Sequence, residues 1–142
     1  MSTQPAYQAA PVIGAAAFST ANTARDGSGT IGTLVVGRNP GTRIEKVMVK
    51  ASGTTTGGMV RIFKRDNGLT LNADGTVASF ATPTWRLIYE LPVTAITPSA
   101  TLAAFAGEWA PDGGITLAPH ESLGVATHNA ETFNAFAVGG HL

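Results

Sequence analysis

From residue 16 onward, apolar and polar positions alternate with a period of two, the spacing of strands with one buried face. In Arg43–Ala51, Val47 and Val49 fall on one face and Lys46, Met48 and Lys50 on the other. Met59–Arg65 places Val60 and Ile62 on one side and Arg61, Phe63 and Arg65 opposite. Trp85–Leu91 puts Trp85, Leu87, Tyr89 and Leu91 on a shared face, which predicts Trp85 as a core anchor. Ala16–Ala21, Thr30–Val36, Ile115–Leu117, Ser122–Thr127 and Thr132–Val138 read as further short strands, and Leu69 and Leu71 alternate with polar neighbours. Val93–Thr97 is bracketed by Pro92 and Pro98. Residues 99–109 admit a short helix capped by Ser99 or a strand over Thr101–Ala106, and the strand is the expectation.

Between these runs stand strong turn signals. Arg25-Asp26-Gly27-Ser28-Gly29 has the composition of a hairpin closure, as do Asn67-Gly68 and Asp74-Gly75, while Asn39-Pro40-Gly41 marks another turn. About nine runs at spacings near ten residues, without long helical segments between them, predict an all-β chain. The expected fold is an antiparallel β-sandwich or jelly roll over residues 16–142. Residues 1–15 carry Pro5 and Pro11, which cannot donate in a ladder, and read as an extended N-terminal arm. In the last run, Phe133, Ala135 and Ala137 share one face, and Asn134, Phe136 and Val138 the other. Apolar groups on both faces predict burial on both sides, within the sandwich or under a neighbouring subunit.

Composition sharpens this picture. The 142 residues suit one domain, and the absence of cysteine removes disulfides and thiolate metal sites. Charged residues make up only 13% of the chain, against about 25% in typical domains, which favours close packing against other protein. The net charge of zero hides an asymmetry: residues 1–65 hold eight basic and two acidic groups, and residues 66–142 hold one and seven. Two arrangements follow. Strands from the two halves pair and bring opposite charges together, or the molecule has a basic and an acidic face that favours head-to-tail contacts. Neither provides the net basic surface that nucleic acid requires. No run approaches a membrane span, and the apolar run from Pro11 to Phe18 lacks the preceding basic residue of a secretory signal. The expectation is a soluble, untargeted chain.

Candidate chemistry is sparse. His120, His128 and His141 lack a local metal-ligand spacing and read as solvated turn residues. The glycine spacing of Gly53–Gly58 resembles a phosphate loop, but Met59 and Val60 stand where lysine and a hydroxyl residue are required. Ser28 lies between glycines without the strand-to-helix step of a nucleophile elbow. Glu90 and Glu108 are candidate paired carboxylates by elimination only, and Asp66 and Asp74 have turn roles that account for them without calcium. Trp109, near a loop, is a candidate carbohydrate contact with Tyr7 or Tyr89. The reading is a non-enzymatic protein with no cofactor and no metal.

The runs ANTARDGSGTIGTLVVG, GTRIEKVMVKASGTTTGGMVRIFKRD, WRLIYELPVTAITPSATLAAFAGEW and GITLAPHESLGVATHNAETFNAFAVGGHL together resemble small virion proteins of tailed bacteriophages, over roughly residues 20–142. The resemblance implies a particle component made in the host bacterial cytoplasm, foremost a capsid decoration or cement protein on the outer surface of the head. A tail or fibre structural or receptor-binding module is the alternative. The implied partners are the major capsid protein or other virion proteins, with a homotrimer as the expected assembly. On that reading Tyr7, Val12, Ile13 and Phe18 form a reaching arm that adds a strand to a neighbour. Basic residues between Arg38 and Arg65, Arg61 and Arg65 among them, face an acidic capsid surface, and Phe136 lies under a neighbouring subunit.

Overall fold

A computed structural model describes the backbone of residues 10–142 and the side chains of 14–142 other than Leu71 and Phe80. Among the described residues there is no helix. The strands are β1 (Ala10–Phe18), β2 (Gly32–Val36), β3 (Thr42–Ala51), β4 (Gly58–Arg65), β5 (Leu69–Leu71), β6 (Val77–Phe80), β7 (Trp85–Val93), β8 (Ala106–Trp109), β9 (Ile115–Leu117), β10 (Ser122–Thr127) and β11 (Phe133–His141). One sheet has the order β1-β11-β3-β8, with β9 also paired to β3; the other has the order β2-β10-β4-β7. β5 and β6 form a separate hairpin around Asp74-Gly75, where Gly75 takes a φ of 87°. All strand pairings are antiparallel, and β1, β2 and β3 alternate between the two sheets, as do β10 and β11. This interleaving is the double Greek key of a jelly roll.

β8 and β9 pair with successive stretches of the same strand, Val47–Lys50 and Thr42–Ile44. They are two halves of one edge strand interrupted by residues 110–114. Gly114 allows the interruption: its φ is 70°, and a Cβ there would lie 2.7 Å from the Ile44 carbonyl oxygen.

The core fills the space between the inner faces. β3 supplies Ile44, Val47 and Val49, β11 supplies Phe133, Ala135 and Ala137, and β4 supplies Val60 and Ile62. β10 adds Leu123 and Val125, and β7 adds Leu91 and Val93. Phe133 stacks on Phe18 at 5.6 Å between ring centroids and meets Phe105 edge-on at 6.4 Å. Burying each such ring stabilises the fold by roughly 1.5–3 kcal/mol.

Several expectations shift. The arm boundary at residue 15 moves back, because residues 10–15 are already ladder, with Ala10 opposite His141 and Ala15 opposite Phe136. Pro11 is tolerated there because β1 is the edge of its sheet. The same reason lets edge strand β7 run through Pro92, opposite Met59. The cluster at 25–29 closes no hairpin, since β1 and β2 lie in different sheets. Residues 101–105 are neither strand nor helix. The Ser99 hydroxyl accepts the N–H groups of Thr101 and Leu102, which bends the chain and turns Phe105 into the end of the core.

Trp85 is not in the core. Ile62 pairs with Tyr89 and Phe63 with Leu87, so Ile88 is an extra residue in β7. That bulge reverses the facing of the strand. Leu91 points inward, while Trp85 covers Gly124 on the outside of the sheet: a Cβ on Gly124 would lie 2.7 Å from the Trp85 ring.

Candidate functional site

The two sheets differ in what covers their outer faces. On the β2-β10-β4-β7 sheet, the chain between β1 and β2 folds back across the strands. Asn22 organises it: its backbone N–H donates to the Thr127 carbonyl at 2.8 Å, and its Nδ2 donates to the carbonyls of Ser28 and Thr30 at 3.0 and 2.9 Å. Beneath this segment Arg61 is 1% exposed, its Nε donating to Glu90 Oε1 at 2.9 Å and its Nη1 to the Asn22 carbonyl at 3.2 Å. Arg25, on the segment itself, reaches the same carboxylate oxygen at 2.6 Å. The Arg25 guanidinium first, and Arg61 second, hold the Glu90 carboxyl below its usual range. Arg65 lies with its guanidinium carbon 5.8 Å from the Trp85 ring centroid.

The outer face of the β1-β11-β3-β8 sheet carries no such cover among the described residues. Cross-strand register sets its side chains in rows. Ala15, Phe136, Met48 and Glu108 are successive neighbours across four strands, and Ala17, Asn134, Lys50 and Ala106 form the adjacent row. Phe136 is 39% exposed. It borders an apolar groove of about 480 Å³ lined also by Met48, Lys50, Ala106 and Glu108, and a smaller hollow over Ala15–Ala17. The charges here flank the apolar row: Lys46 and Lys50 stand on β3 either side of Met48, Lys46 4.0 Å from Glu108 and the Lys50 ammonium donating to the Ala104 carbonyl at 2.9 Å.

The residues expected to meet a partner therefore separate. Phe136 is on the open face. Val12 and Ile13 lie in β1, opposite Gly139 and Val138, with side chains outside the described residues; Tyr7 falls outside them entirely. Phe18 is a core residue, because the alternation of β1 turns it inward onto Phe133. Arg61 is not on a surface: it is the buried clamp under the β1–β2 segment. Arg65 lies on the opposite sheet from Phe136. The apolar row through Met48 and Ala15 and the Asn22–Arg25–Glu90 clamp became visible only with the register in hand. The clamp's one signal in the sequence was an arginine in the middle of an otherwise apolar strand.

Of the two charge arrangements, the structure has the first. Arg25–Glu90, Arg61–Glu90, Lys46–Glu108 and Lys64–Glu121 each join the basic half to the acidic half. Trp109 stacks on Tyr89 at 5.2 Å and packs against the core, so its ring face is not an open sugar platform. Glu108 pairs with Lys46 and Glu90 with two arginines, so these carboxylates do not form an acid–base pair. Among the described residues no cluster of three His, Asp or Glu is placed to hold a metal ion. No protein-family model matches the chain, and neither a curated protein nor a solved structure does.

Proposed function

We propose that this protein is a structural component of a bacteriophage particle, a decoration or cement protein that sits on the outer surface of the head and bridges neighbouring capsid subunits. The observation that carries the reading is the asymmetry between the two outer faces. One is sealed by the protein's own chain, and the other presents Ala15, Phe136 and Met48 in a continuous row, with Lys46 and Lys50 flanking Met48 on β3 and Glu108 at the β8 edge. An open sheet face of small and apolar side chains is suited to lying against protein. The jelly-roll wind, a fold shared by many viral coat domains, supports the same reading by analogy of architecture alone.

On this reading the β1-β11-β3 face meets the major capsid protein or a second copy in a trimer, and its contribution comes from buried apolar area at about 25 cal/mol per Å² before ordering costs. The pairing of Trp109 with Tyr89 weighs against the receptor-binding alternative. The test is to separate purified particles into heads and tails and quantify the protein in each by mass spectrometry. Many copies with heads, and heads that lose heat resistance when the protein is omitted, is the expected result. A few copies with tails would overturn it.

A further inference from the structure

We infer that the pole of the sandwich around Arg38 is a binding cleft for a small carboxylate ligand with a short aliphatic stem. The inference is independent of any role in a particle. The cleft has a volume of about 500 Å³ and is lined by Val36, Arg38, Asn39, Pro119, His120 and His141. It lies between the β2–β3 and β9–β10 connections, and two backbone bonds fix its walls. Gly37 N–H donates to the Glu121 carbonyl at 2.7 Å, and His120 N–H donates to the Gly37 carbonyl at 3.1 Å. The walls approach this closely only because residue 37 is glycine: a Cβ there would lie 2.4 Å from the Ala118 carbonyl oxygen.

Three features give the cleft its chemistry. First, Arg38 is exposed, and no hydrogen bond or ion pair involves its guanidinium among the described residues. The guanidinium is a planar fork of donors that matches a carboxylate in two parallel hydrogen bonds. Second, the His141 ring is held in place at the cleft. Its Nδ1 lies 2.7 Å from the Thr42 hydroxyl, which is fully buried and already accepts the Arg38 backbone N–H at 3.0 Å. This bond fixes the ring in the wall of the cleft, and Nε2 makes no hydrogen bond among the described residues. Third, His120 has a φ of 68° in the turn closed by Glu121 N–H on the Ala118 carbonyl. This is the third position of a type II turn, where glycine or asparagine is favoured, and a histidine there is strained. The ring gains no hydrogen bond within the described chain in return.

Among the described residues that line the cleft, none is acidic. The adjacent Glu121 has one carboxylate oxygen on the Ala118 N–H at 2.7 Å and the other 3.2 Å from the Lys64 ammonium. Val36, 48% exposed, and Pro119 supply an apolar wall for a hydrocarbon stem.

The experiment is a titration of the whole protein, labelled with ¹⁵N in its histidine rings, with sodium pentanoate at fixed pH and ionic strength. The ring signals of His120 and His141 should move together and saturate, while those of His128, on the connection at the other end of β10, stay in place. Arg38→Gln should weaken binding at least tenfold. His120→Gly should also weaken it without lowering the melting temperature, because glycine relieves the turn, and this separates a ligand role from a structural one. Equal movement of all three histidines, an absence of saturation, or an Arg38→Gln variant that binds as the native protein does would overturn the inference.

Discussion

Replacing Phe133 with alanine removes a ring that is 0% exposed, stacked on Phe18 and edge-on to Phe105. Such a deletion costs the transfer free energy of the lost atoms and a cavity that the rigid sheets cannot close, together about 3–5 kcal/mol. For 142 residues the entropy of unfolding is about 0.3 kcal/mol per kelvin near the midpoint, so the melting temperature should fall by roughly 10–17 °C. Phe136→Ala deletes the same group three residues along the same strand, but from the open face, where the cost should be about 1 kcal/mol or less. Thermal unfolding followed by circular dichroism at low protein concentration separates the two. Equal losses for both variants would refute the assignment of the inner and outer faces of β11. If the open face is a contact surface, Phe136→Ala should weaken self-association or particle binding while leaving the isolated fold nearly unchanged.

Because the Glu90 carboxyl is held below its ordinary value of 4.5, its ion pairs stabilise the fold fully above that value, and this is lost as pH falls through the lower folded value. The melting temperature of Glu90→Gln should accordingly depend less on pH across the acid limb than that of the native protein; identical limbs would rule the carboxylate out as a contributor. Gly124→Ala places a Cβ 2.7 Å from both Ile31 and the Trp85 ring. It should cost about 1–3 kcal/mol and shift Trp85 fluorescence to the red, and an unaltered spectrum would show that the ring does not cover this position.

The alternating strands were legible because polar residues recur on one face and apolar residues on the other: Val47 and Val49 against Lys46 and Lys50, or Val60 and Ile62 against Arg61 and Arg65. Trp85 was misplaced because a single inserted residue, Ile88, changes facing without leaving any compositional mark. β1 began six residues earlier than its alternation showed, since proline and glycine in an edge strand look the same as proline and glycine in a loop. The partner residues were legible least of all. Arg61 is charged, which in a sequence reads as exposed, and its burial depends on a segment more than thirty positions away. The row through Ala15, Phe136 and Met48 draws on three strands whose register no local pattern contains.

The interleaved strand order also bears on how the chain comes to be folded. β11 lies between β1 and β3, and β10 lies between β2 and β4, so the last two strands sit inside the sheets and not at their margins. A chain growing from its N-terminus therefore holds β1 and β2 without any ladder partner until residues 122–141 arrive. Until then only β3 with β8 and β9, β4 with β7, and the small β5–β6 hairpin can pair. Pairings of such sequence separation close slowly, in the millisecond-to-second range for β proteins. A nascent chain with apolar strand edges exposed for that long is open to mispairing with its neighbours. Loss of the final twenty residues would remove the centre of both sheets at once, where the loss of an edge strand would only narrow one.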